Sequence, residues 1–244
     1  MARKYSIQLT QEISDFATAI ADYYGEGNYT IYYQDSQYLV FSIPAISNKV
    51  LRLKIVYNGS GGHLNYGDEW TSGSTITNAM PIHVWFETMK SNSYLILSQY
   101  SMQYFHQDDS QLATMIVGQL SNGEYAGIGL QHSTSNVGRA QPKLMTDNTD
   151  IAPMLPNIST SAITDTTSKI ITFPMYILNA VSGNLLVDSE GNPVYMKDIR
   201  VCRYSSILDN DNLFNYSMNC FYDKYLTYGY DTVGFITEID NYTL

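Results

Sequence analysis

Beyond residue 24 the hydrophobic pattern of the chain repeats every two residues, and this alternation constrains the fold more than any other feature. It is clearest over 50–57, where Leu51, Leu53, Ile55 and Tyr57 face one way and Arg52 and Lys54 the other, as a half-buried strand requires. Residues 28–33 and 38–43 read as two more strands joined by a turn at Gln34-Asp35-Ser36. Asn58-Gly59-Ser60-Gly61-Gly62 then breaks the pattern, because consecutive glycines reach backbone angles that other residues resist. Further strands are predicted over 82–88, 93–99, 102–106, 111–120 and 124–131, with Asn122-Gly123 supplying a two-residue hairpin turn. The signal resumes over 169–178, 185–187, 194–204 and 232–239, with turns at Ser182-Gly183-Asn184 and Ser189-Glu190-Gly191-Asn192-Pro193. Strands at intervals of roughly ten residues predict a mainly β protein, an antiparallel β-sandwich or barrel with a short N-terminal helix.

That helix is predicted over 10–24. Ile13, Phe16, Ala17, Ile20 and Tyr24 recur at steps of three and four and form one apolar stripe. Thr10 is placed to cap its start, Glu12 suits the first turn, and Gly25 ends it. Three regions follow from the pattern: 1–131 as helix plus β-sandwich, 132–168 as a polar linker or arm, and 169–244 as a C-terminal β region. The last either completes the first domain or forms a second lobe.

Charge and composition exclude several function classes. Lys and Arg total 13 against 23 Asp and Glu, a net charge of −10. Binding to a phosphate backbone or an anionic membrane needs clustered basic residues, so neither nucleic acid nor membrane is an expected partner. No apolar run reaches the roughly 18 residues of a spanning helix. The basic start Met1-Ala2-Arg3-Lys4-Tyr5 is followed by Ser6-Ile7-Gln8-Leu9-Thr10-Gln11-Glu12, too polar for the apolar part of a signal peptide. The product is therefore expected to stay in a cytoplasm or to leave it without a cleaved signal. The Asn-x-Ser/Thr triplets at Asn28, Asn58, Asn157, Asn215 and Asn241 are then chance matches. Cys202 and Cys220 lack CxxC spacing and read as free thiols, with a bridge between neighbouring strands as the alternative.

No chemistry-bearing motif emerges. His63, His83, His106 and His132 are scattered without metal-ligand spacing. Asp209-Asn210-Asp211-Asn212 opens like a calcium loop, but Leu213 and Phe214 stand where an oxygen ligand and a glycine belong. Asp188, Glu190 and Asn192 alternate around Gly191 as a hairpin tip would place them. There is no GxSxG elbow, Walker A loop or dinucleotide fingerprint. No catalytic residue, metal or cofactor is expected. Asp68-Glu69-Trp70 is the most suggestive cluster, since Trp beside acids suits a carbohydrate site, but a loop between strands predicts the same cluster and is the favoured reading.

What remains is a surface built for contact. Tyrosine supplies 22 residues, more than Lys and Arg together. It suits pleated sheet faces, and also interfaces where an apolar face must offer a hydroxyl. Neighbours on a strand point to opposite faces, so an adjacent aromatic pair means that both faces are covered or that one ring awaits a partner. Such pairs occur at Tyr23-Tyr24, Tyr32-Tyr33, Trp85-Phe86 and Tyr104-Phe105. The densest run is Phe221-Tyr222-Asp223-Lys224-Tyr225-Leu226-Thr227-Tyr228-Gly229-Tyr230. Tyr222, Tyr225, Tyr228, Tyr230 and Trp70 are the interface candidates, the alternative for the run being an edge strand with Tyr on both sides.

A short N-terminal helix before many short strands, richness in Tyr, Asn, Ser and Thr, low charge, and the stretch from Ser93-Tyr94-Leu95-Ile96-Leu97 to Gly118-Gln119-Leu120-Ser121-Asn122-Gly123 together resemble virion structural proteins of tailed bacteriophages. The resemblance is one of style and carries no site residue. It implies a non-enzymatic component of the tail, neck or baseplate, folded in the infected cytoplasm and incorporated in the virion, whose partners are copies of itself and other virion proteins. Two other readings stay open. One is a receptor- or glycan-binding module of the particle that stacks its ligand on Trp70 and the Tyr run. The other is a hydrolase of cell-surface polymer with Asp68, Glu69, Asp108 or Asp109 as its acids.

Overall fold

The computed structural model describes residues 2–8, 11–46, 48–55, 62–82, 93–108, 111–133, 142–154, 172–204, 220–228 and 231–238. Of these, 62, 105–108, 111–114, 130–133, 172, 202–204, 220–228 and 231–238 are described by backbone alone. Strand β1 (Arg3–Ile7) precedes helix α1 (Glu12–Tyr24). Strands β2 (Thr30–Gln34), β3 (Tyr38–Ser42), β4 (Val50–Ile55) and β5 (Gly62–Gly67) follow, then the short β6 (Trp70–Ser72), β7 (Thr75–Ile76) and β8 (Met80–Ile82). Next come β9 (Ser93–Leu97), β10 (Ser101–Asp108), β11 (Gln111–Gln119), β12 (Tyr125–Ser133), β13 (Lys143–Leu144) and β14 (Ile151–Pro153). The described chain ends with β15 (Thr172–Asn179), β16 (Tyr195–Tyr204), β17 (Cys220–Tyr228) and β18 (Asp231–Glu238). Every pairing between these strands is antiparallel. The protein is mainly β, with one α-helix among the described residues, as the period-two runs predict. No sheet closes on itself among the described residues.

Three sheets are stacked, and the middle one is buried on both sides. Its order is β1-β9-β10-β11-β12-β13. Leu95, Leu97, Met102, Tyr104, Met115 and Val117 point into a first core, shared with α1 and the sheet β2-β3-β4-β5-β8. Ile96, Ile116, Leu120, Ala126 and Ile128 point the other way, into a second core. There they meet Ile151, Met175, Ile177, Met196 and Val201 of the sheet β14-β15-β16-β18-β17. Consecutive apolar residues such as Leu95-Ile96-Leu97 and Met115-Ile116-Val117 are therefore all buried, because each face of their strands has its own cover.

Helix α1 closes one side of the first core with the stripe Ile13, Phe16, Ala17 and Ile20. Phe16 meets Tyr104 of β10 edge-on, with ring centroids 4.9 Å apart. Asp22 ties the helix to β1 by accepting from Arg3 (3.2 Å) and from the Tyr5 hydroxyl (2.8 Å). The C-terminus is as expected: Gly25 sits at φ 73° and donates its N–H to Ala21 O. The N-terminus differs. The helix begins at Glu12 with Gln11 as its cap residue and no side-chain cap, and Thr10 lies outside the described residues. The entering chain is instead pinned by Asp15, whose carboxylate accepts the Gln8 N–H at 2.7 Å.

In β4 the predicted alternation holds, with Leu51, Leu53 and Ile55 in the first core; Tyr57 lies outside the described residues. Within the polar stretch 132–168, residues 142–154 carry β13 and β14 and place Leu144, Met145 and Ile151 in the two cores. In β16, Met196 and Ile199 are both buried although three apart; Asp198 lies between them at φ 63°, where the pairing with β15 loses its regular register. Cys202 of β16 and Cys220 of β17 have β18 between them, opposite Gly234 and Glu238 respectively. Two interstrand spacings separate their strands by about 10 Å, and the offset from Gly234 to Glu238 adds to it along the strand, beyond the reach of an intramolecular disulfide. No helix among the described residues is long and apolar enough to cross a membrane.

Candidate functional site

The most elaborated surface lies on the outer face of β2-β3-β4-β5-β8, where β6 and β7 form a small hairpin. Ile76 anchors that hairpin in a satellite core with Val40 and Val50, against which Tyr32 and Tyr33 pack. Arg52 holds it from below, donating to Ser74 O (3.3 Å) and to Asn65 Oδ1 (3.1 Å). Gly67 is required at its base, since a Cβ there would stand 2.3 Å from Thr77 O. That close approach sets Asp68 beside Asn78.

Trp70 opens the hairpin and remains 38% exposed. Its ring stacks on Tyr32, with centroids 5.6 Å apart and planes 21° from parallel. Its only polar atom, Nε1, donates to Gly73 O at 2.8 Å. Beside it, Asp68 accepts from Lys49 Nζ at 2.5 Å and from Asn78 Nδ2 at 2.7 Å. The Lys49–Asp68 pair divides two open clefts. One of about 420 Å³ is lined by Trp70, Tyr32, Glu69, Ser42 and Asn48. The other, of about 360 Å³, is lined by Asn78, Asn148, Tyr66, Met80 and Met145. Tyr66 is fixed through its hydroxyl, which donates to Asn148 Oδ1 at 2.7 Å, and burial pushes its pKa up to about 12.

The Asn78 hydrogen bond, followed by the Lys49 hydrogen bond and charge, holds the Asp68 carboxyl below its usual range. A depressed folded-state pKa contributes stability above the unfolded value and loses it as pH falls through the folded one. Asp68→Asn should therefore be less stable than wild type near neutrality by under about 1 kcal/mol, since the pair is exposed. The difference should shrink as pH falls below the ordinary Asp pKa of about 3.9. Denaturant titrations of both proteins across that range check it. A difference that grows in acid contradicts the assignment. Asp68 also stays ionised where a general acid must hold a proton, so the acid-cluster reading gains no proton donor from it.

A second surface follows β15. Between two tight turns, closed by Gly183 N–H to Asn179 O (2.8 Å) and Gly191 N–H to Asp188 O (3.1 Å), the chain runs briefly extended. Leu186 packs toward the second core while Leu185 and Val187 point out, 40% and 56% exposed. Val181 at the first turn is 88% exposed. Asp188 stabilises the second turn by accepting the N–H groups of Glu190 and Asn192, the hairpin tip that the sequence predicts.

Of the interface candidates, Tyr222, Tyr225 and Tyr228 lie on β17, which among the described strands ends its sheet beside β18. The pairing is irregular between Lys224 and Thr227, the stretch that holds Tyr225. Tyr230 lies outside the described residues, as do Trp85, Phe86, Asp109 and the calcium-like run at 209–214. Asp108 ends β10 and is described by its backbone alone. The sequence singled out Trp70, Asp68 and Glu69 as neighbours. It marked Tyr32 only as half of an aromatic pair and did not single out Lys49 or Asn78; strand register and the Gly67 contact bring all three to the cluster. Among the described residues no group of His, Cys, Asp and Glu is placed to hold a metal. In comparisons with known proteins, no family model matches the chain and no curated protein matches it.

Proposed function

We propose that the chain is a non-enzymatic structural component of a bacteriophage particle, in its tail, neck or baseplate, acting through interfaces with copies of itself and neighbouring virion proteins. The observation that carries the reading is the apolar band of Val181, Leu185 and Val187. Single exposed apolar residues need no explanation, but three within one short connection, held by two ordered turns, form a surface suited to burial. The Tyr-rich strand β17, at the edge of its sheet among the described strands, supports a second contact, because a sheet edge offers backbone groups to another chain. A stable assembly interface would bury on the order of 2,000 Å².

Light scattering across a concentration series tests this reading. Wild type is expected to self-associate, and Val181→Glu/Val187→Glu to weaken association by at least about 1 kcal/mol, roughly fivefold, without a change in melting temperature. Tyr225→Ala/Tyr228→Ala in the same assay assigns β17: association lost at an unchanged melting temperature places it in an interface, and a large drop places those rings in the core. A wild-type protein that stays monomeric throughout and is absent from purified particles defeats the proposal.

A further inference from the structure

We infer that the cleft between Trp70 and the Lys49–Asp68 pair is a binding site for a neutral saccharide. The argument starts from what Trp70 can offer. Its indole N–H is already used by Gly73 O, so a ligand meets the ring only through an apolar face or edge. The Tyr32 stack and the Gly73 hydrogen bond both hold the ring in place, so little side-chain freedom is lost when something docks on it. A pyranose has the complementary form: one face of C–H groups, and a rim of hydroxyls that each donate and accept.

The rim finds its partners within the same cleft. Asp68 keeps acceptor capacity beyond its bonds to Lys49 and Asn78, Glu69 is an exposed carboxylate, and Lys49 is a donor. Ser42 and Asn48 add groups that both donate and accept. A volume of about 420 Å³ is at the lower end of the range for small-ligand clefts.

Other ligand classes fit less well. An anion, including an acidic sugar, meets Asp68 and Glu69. A quaternary ammonium wants aromatic faces around it, whereas Tyr32 and Trp70 stack on each other as one slab, and Lys49 stands in the same cleft. The second cleft beyond the Lys49–Asp68 pair, with Asn78 and Asn148 on its walls, lets a chain of sugars continue past the first ring.

The test uses the full chain and a panel of neutral oligosaccharides built from glucose, mannose, galactose and N-acetylglucosamine, with sialyllactose, an oligogalacturonate and choline as counter-probes. Ligand-observed NMR is read together with tryptophan fluorescence in a Trp85→Phe background, which leaves Trp70 as the sole reporter. At least one neutral member is expected to bind, with Trp70→Ala weakening it by about tenfold or more and Trp70→Phe by less. Because Trp70 is partly exposed, the melting temperature should hold; if Trp70→Ala fails to fold, Asn48→Ala at the rim serves in its place. Absence of binding across the neutral panel, equal binding by the Trp70 and Asn48 variants, or preference for a charged probe each overturns the inference. The readout does not depend on self-association, so its failure is separable from failure of the assembly reading.

Discussion

Leu95→Ala and Ile96→Ala are each expected to destabilise the protein by about 2–5 kcal/mol, the usual cost of emptying a packed aliphatic site. The two residues are neighbours on β9 and point to opposite faces, so only a strand covered on both sides makes both costly. Leu95 is 0% exposed in the first core and Ile96 is 1% exposed in the second. In a two-layer sandwich with one wet face, one of the pair would cost a fraction of the other. Denaturant midpoints of the two variants decide the matter: similar large losses support three stacked sheets, and a near-neutral Ile96→Ala removes the second core.

Phe16→Ala should cost about 3–5 kcal/mol. The ring is 0% exposed and is the largest fully buried side chain that α1 contributes to the first core. It also loses its edge-on contact with Tyr104, worth about 0.5–1.5 kcal/mol beyond the buried area. Because Phe16 joins α1 to the middle sheet, its loss should lower the global unfolding midpoint. A helix that frays alone, with the midpoint retained, would show α1 to be an appendage. Circular dichroism and tryptophan fluorescence, followed in one titration, separate these outcomes.

The longer alternating strands and the helical stripe were legible because their periods are intrinsic to each segment, whereas β1, β5, β13 and β14 were not read as strands. Leu51, Leu53 and Ile55 announce a strand whatever lies beside them. The stacking order was not legible, because Leu95-Ile96-Leu97 reads alike in any doubly covered strand and does not say what covers it. The hairpin of β6 and β7 escaped notice for a different reason. Trp70-Thr71-Ser72 is short and polar, and only Ile76 is buried beneath it. The site was half legible. Asp68, Glu69 and Trp70 are adjacent in the chain, but Tyr32 reaches Trp70, and Lys49 and Asn78 reach Asp68, through tertiary contacts that no local pattern encodes. Gly67 is the one residue that hints at them, and its meaning appears only when Thr77 O is found against it.

The pairing of β1 with β9 sets an order of events during synthesis. Arg3 lies opposite Leu97 and Ile7 opposite Ser93, so among the described strands β1 gains its partner only after the sheet β2-β3-β4-β5-β8 has been made. Closing so long a loop is entropically unfavourable until packing offsets it, and such non-local pairings slow folding. Helix α1, whose ends are already stopped by Asp15 and Gly25, can meanwhile settle on β3, leaving β1 to dock once Ser93–Leu97 arrives. Strand β1 is thus made well before the partner that fixes its place.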